Sequence, residues 1–125
     1  MTRLVWVGTG GFLGAVARYL LAGVFTRLTP YFPLGTLVVN ALGSLALGFL
    51  MTLATETLAL PPDMRLLLAV GFCGAFTTFS TFAYETDSLI RSGALSLAFL
   101  NISVSLLLGL VGLRLGDWLA RQFFL

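Results

Sequence analysis

Residues 64–84, MRLLLAVGFCGAFTTFSTFAY, decide the fold. At roughly 20 residues the run is long enough to cross a bilayer as a helix. Its one charge, Arg65, stands at its edge. Its middle, Gly71 to Phe82, is unlike a lipid-facing helix, being rich in glycine, β-branched residues and hydroxyls. A break near Gly74 to Thr78 is expected there. Such a break frees backbone groups, which a membrane tolerates only where they face protein, water or an ion. Phe72, Phe76, Phe79 and Phe82 follow helical spacing, ordinarily a core or lipid stripe, but Thr77, Thr78, Ser80 and Thr81 stand between them.

Working outward, three further apolar spans appear, near residues 4–25, 34–54 and 93–115. Short polar breaks separate them: Arg27, Pro30, Tyr31 and Pro33, then Glu56, Pro61, Pro62 and Asp63, then Glu85, Asp87 and Arg91. The expected fold is an all-α integral membrane protein, one membrane domain of four transmembrane helices. Both termini then share one side, where Trp6 and Trp118 anchor at the headgroups. Composition agrees: of 125 residues, 58% are hydrophobic and 10% charged, against about 25% charged in soluble domains. With His absent and Cys73 the lone thiol, a His/Cys metal site, a Ser-His-Asp triad and an internal disulfide are excluded. No nucleophile and base pair is visible, so an enzyme is not expected. Isolated arginines, never a basic run, exclude a nucleic-acid footprint.

Orientation follows the excess of Lys and Arg in cytoplasmic loops. Here the two sides nearly balance: Arg3, Arg65, Arg114 and Arg121 against Arg27, Arg91 and, by its place in the span, Arg18. The chain admits insertion both ways. Arg18 has two readings: it snorkels from the last turns of the first span, or it faces a polar interior as a candidate anion vestibule.

The second and fourth spans share a motif. Asn40, Ser44 and Gly48 repeat as Asn101, Ser105 and Gly109, and Thr36 extends the first stripe by a turn. Spacing of four sets each group along one helix face. Serines in membrane helices serve packing as readily as pores. An Asn amide cannot sit unpaired in hydrocarbon, so the two Asn residues point to a shared wet or hydrogen-bonded interior.

The 71–82 stretch, Gly11-Phe12-Leu13-Gly14-Ala15 with Arg18-Tyr19, and Gly35-Thr36-Leu37 with Asn40 and Gly43 together resemble the bacterial fluoride channel family called Fluc or CrcB. The resemblance spans nearly the whole chain. It implies an antiparallel, dual-topology homodimer in the inner (plasma) membrane, passing fluoride passively through two pores. By motif match Phe79 and Phe82 are the pore phenylalanines and Asn40 the donor beside them. Thr36, Ser80, Thr81 and Glu85 fall where the family places other polar or pore-adjacent groups, and Asn101 and Ser105 follow on the fourth span. The resemblance also implies a structural Na⁺ at the dimer centre, held by the backbone carbonyls of Gly74 and Thr77.

The chemistry is sound. Fluoride sheds its water only where donors replace it at short range. Asn amides, hydroxyls and the positive edges of aromatic rings supply such contacts without a full charge that would trap the ion. Two rivals stand beside this reading. A four-helix multidrug or cation exporter needs a titratable acid inside the membrane, whereas Glu56, Asp63, Glu85, Asp87 and Asp117 all read as at or near loops. A non-transporting structural subunit explains the glycines but not the Asn pair.

Overall fold

A computed structural model describes residues 1–57 and 59–125. Six α-helical segments follow one another: α1 (Thr2–Leu28), α2 (Leu34–Glu56), α3 (Pro62–Arg65), α4 (Gly74–Phe76), α5 (Phe79–Arg91) and α6 (Leu95–Phe124), with a π-helical run, Leu66–Cys73, between α3 and α4. No β-strand occurs among the described residues. Among the described residues four helices are long and apolar enough to cross a membrane: α1, α2, the third span Pro62–Arg91, and α6.

The spans outrun the apolar cores from which they were read. The third continues to Arg91 and the fourth to Phe124, because polar residues at their ends find partners. Asp117, expected near a loop, lies within α6 and accepts from Thr52 Oγ1 at 2.7 Å. Arg121 donates to Asp117 at 3.1 Å and grips both carboxylate oxygens of Glu56. Since Thr52 and Asp117 are both late in their helices, this contact makes α2 and α6 parallel. Arg3, Ala54 and Arg65 line one cavity, so the start of α1 meets the end of α2 and the start of the third span.

Glycines set how closely the spans approach. A Cβ at Gly48 would stand 2.1 Å from Leu113 O, and one at Gly116 would stand 2.0 Å from Leu45 O. The α2/α6 seam is therefore backbone against backbone, the small-residue packing that substitutes for hydrophobic burial inside lipid. Gly10 and Gly14 do the same for α1, with virtual Cβ atoms 2.0 Å from Leu67 O and 2.2 Å from Phe72 O. Their flat face admits the wider π-helical run, a geometry uncommon outside single-turn bulges. The α5–α6 corner is a Schellman motif: Ala94 N donates to Leu89 O and Gly93 N to Ile90 O, with Gly93 at φ +80°, where a side chain would be strained.

Little of the chain is core. Leu37, Val39, Ala69, Phe76 and Ala98 are buried, whereas long runs of Leu and Phe on α1 and α6 are exposed, as expected of faces turned to lipid or to another subunit.

Candidate functional site

The third span supplies the site. Its helical backbone stops at Phe76, Thr77 and Thr78 are extended at φ −82°, ψ 157° and φ −150°, ψ 117°, and helix resumes at Phe79. Two amides that leave the helical ladder, those of Thr78 and Thr81, find side chains. Thr78 N donates to Asn40 Oδ1 at 2.8 Å, and Asn40 Nδ2 donates back to Thr78 O at 3.1 Å. One amide side chain thus pairs both polar groups of an extended residue, as a neighbouring strand does. Thr81 N donates to Thr78 Oγ1 at 3.3 Å, so Thr78 caps α5. Gly43 makes room, since a Cβ there would stand 2.3 Å from Thr77 Cγ2.

Gly74 O and Thr77 O are among the carbonyls that lose their helical donors here. In an unbroken helix Gly74 O would accept from Thr78 N and Thr77 O from Thr81 N; both donors are spent elsewhere. Thr77 O is reached by Arg18 Nη1 at 3.5 Å, the outer limit of a hydrogen bond. Gly74 is exposed, with open space where a Cβ would be.

Two cavities adjoin the extended residues, and Thr78 lines both. The first, about 270 Å³, brings together Asn40, Phe79, Phe82 and Ser105 with Ser44 and Gly109. The Phe79 and Phe82 rings lie 5.8 Å apart at 47°, and Phe79 is 79% exposed, so nothing else in the chain claims its edge. Asn40 Nδ2 has a second hydrogen not used on Thr78. The second cavity, about 500 Å³, gathers Arg18, Thr36, Thr81 and Glu85. Thr36 Oγ1 donates to Glu85 Oε1 at 2.8 Å, while the buried Glu85 Oε2 has no partner among the described residues. Arg18 and Glu85 thus oppose their charges across one cavity.

Three candidates fall outside both cavities: Ser80, Gly74 and Asn101. Ser80 is exposed on α5. Asn101 is 1% exposed and internally bonded, with Nδ2 donating to Thr86 Oγ1 at 2.9 Å and Oδ1 accepting from Ser105 at 3.4 Å. Thr86 in turn donates to Phe82 O at 2.7 Å, so Asn101 fixes α5 from behind. Sequence reasoning missed the capping role of Thr78, although a Thr directly ahead of a helical run is a recognisable helix start. Thr86 carried no signal, because only the fold brings it to Asn101.

Four apolar spans, one of them interrupted beside a polar and aromatic cavity, define an integral membrane protein built to bring a small polar solute or ion into the bilayer. The family model described as "CrcB-like protein, Camphor Resistance (CrcB)" matches residues 5–117, and the chain belongs to that family. Among its relatives is the "Fluoride-specific ion channel FluC" of Hydrogenovibrio crunogenus, 48% identical over 123 residues, covering 98% of this chain and 93% of the relative. Proteins of the same name from Prosthecochloris aestuarii and Magnetococcus marinus are 48% identical over 120 residues (96% and 94% of the two chains) and 49% identical over 115 (91% and 94%). The resemblance drawn from the sequence motifs is thereby borne out.

Proposed function

We propose that this chain is a passive, fluoride-selective ion channel of a bacterial inner membrane and not an enzyme. The names and near full-length identity of its relatives support the reading. The observation that carries it at the level of residues is the Asn40–Thr78 pairing. That pairing satisfies both polar groups of the extended Thr78 and leaves one amide hydrogen, the ring edges of Phe79 and Phe82 and the Ser105 hydroxyl around one cavity. These donors replace water around a small anion, and none carries a full charge, so the ion binds and leaves. Thr36, Thr81 and Glu85 line the approach, with Arg18 holding anions in the vestibule, and Ser80 lies beside it on α5.

The functional unit in this reading is an antiparallel homodimer with two pores, its subunits inserted in opposite orientations. The near balance of arginines between the two ends supports dual insertion. A Na⁺ fits the interruption of the third span: the Gly74 and Thr77 carbonyls lack helical donors, Gly74 is open on its outer side, and carbonyl oxygens suit a hard cation. Two such carbonyls from each subunit would hold it, and its contribution is to cement two interrupted helices. The second lone pair of Thr77 O leaves room for Arg18.

The test is fluoride efflux from liposomes containing only this protein. Rapid efflux on dissipating the membrane potential, with chloride retained, is the expected result. Equal rates with and without protein would refute the channel, and cysteine labelling of each terminus from one face alone would refute dual topology.

A further inference from the structure

At the opposite end of the molecule from the Glu85 cavity, a hollow of about 460 Å³ opens between the start of α1, the end of α2 and the start of the third span. Arg3 and Arg65 line it, with Asp63, Leu60, Leu66 and Val70. Arg91 is paired with Asp87, and Arg121 with Glu56 and Asp117. Arg3 and Arg65, by contrast, make no ion pair or side-chain hydrogen bond among the described residues, and they share one cavity. The three charged side chains sum to one positive charge. Arg65 precedes Leu66 and Val70, which descend the third span as an apolar wall, and Val70 is 51% exposed. The hollow is therefore cationic at the rim and apolar toward the bilayer interior.

We infer that this hollow is a binding site for an anionic phospholipid, its phosphodiester on the Arg3 and Arg65 guanidiniums and an acyl chain along Leu66 and Val70. Guanidinium forks match phosphate oxygens, and their position at the ends of two spans sets them at headgroup depth. A free phosphate would use the same forks, but the Leu66–Val70 wall gives it nothing to bind. Asp63 at the rim penalises any anion, so both arginines are needed. The site is remote from the Asn40 and Glu85 cavities and does not depend on the channel reading.

The experiment is thermal unfolding of the full-length protein in a neutral detergent, titrated separately with short-chain phosphatidylglycerol, phosphatidylcholine and inorganic phosphate. Phosphatidylglycerol is expected to raise the midpoint by about 4 °C or more, with phosphatidylcholine giving less than half that shift and phosphate none. In Arg3→Gln/Arg65→Gln the phosphatidylglycerol shift should fall to the phosphatidylcholine level, while Arg91→Gln keeps it whole. Should the double variant not fold, each single variant is expected to lose most of the shift. A full shift in both single variants or in the double variant, an equal response to the two lipids, or a phosphate response matching phosphatidylglycerol would overturn the site.

Discussion

Asn40, Ser44 and Gly48 on α2 repeat as Asn101, Ser105 and Gly109 on α6; the two serines line one cavity, but at the first and last positions the stripes do opposite things. Asn40 bonds only backbone, the two groups of Thr78, and faces the cavity. Asn101 bonds only side chains, Thr86 and Ser105, and is sealed. Gly48 is pressed against Leu113 O, whereas a Cβ at Gly109 would meet only Ser44 Oγ, at an ordinary 3.7 Å. Equal spacing fixes which face a residue occupies. The partner across the interface decides whether that residue lines a path or closes a seam.

The largest effect should come at the glycines. Gly48→Ala forces backbone apart along α2/α6, and overpacking of this kind costs about 3 kcal/mol; little monodisperse protein is expected on size-exclusion chromatography. Gly109→Ala should give normal yield and unfolding temperature, with fluoride flux reduced a few-fold because the methyl enters the cavity. Equal stability of the two variants would break the contrast.

Next in size is Asn101→Ala. It removes the bond that the buried Thr86 hydroxyl accepts and the acceptor of the Ser105 hydroxyl, and so loses the brace behind Phe82, costing about 1–3 kcal/mol, read as a lower unfolding midpoint. Flux per folded protein should stay within about three-fold of the unmodified rate, since a brace costs less than a lost donor in the path. A stable Asn101→Ala protein that no longer conducts would move Asn101 into the path. The smallest effect is expected of Thr52→Val, which removes one hydrogen bond to Asp117 while Arg121 still holds that carboxylate. About 1 kcal/mol of stability should be lost, with flux unchanged.

Much of this was legible in the chain. Apolar runs of bilayer length gave four spans, and spacing of four put Asn40 and Asn101 on helix faces. The anomaly at 71–82 marked where the third span would be unusual. The π-helical run at Leu66–Cys73 was not legible, because its residues suit an α-helix equally and only the glycine face of α1 favours the wider turn. Nor was the Thr52–Asp117–Arg121–Glu56 cluster. Asp117 and Arg121 look like the polar end of a span until the parallel packing of α2 and α6 brings Thr52 and Glu56, 65 residues earlier, within bonding distance. Asn101 shows the limit most clearly. Its residue type and spacing match Asn40, and the difference lies in what α5 presents to it.

In the proposed channel an anion passes between the Phe79 and Phe82 ring edges beside Asn40. Asn40→Asp is a compound test, because it also sets an oxygen against Thr78 O. Phe79→Ile is cleaner, since the ring is 79% exposed within the chain and its loss costs the subunit little packing. Fluoride efflux from liposomes holding the purified Phe79→Ile protein should fall by about 100-fold, as an added barrier of about 2.7 kcal/mol implies, with elution and unfolding midpoint unchanged. Efflux at the unmodified rate from that folded protein would place the conduction path elsewhere.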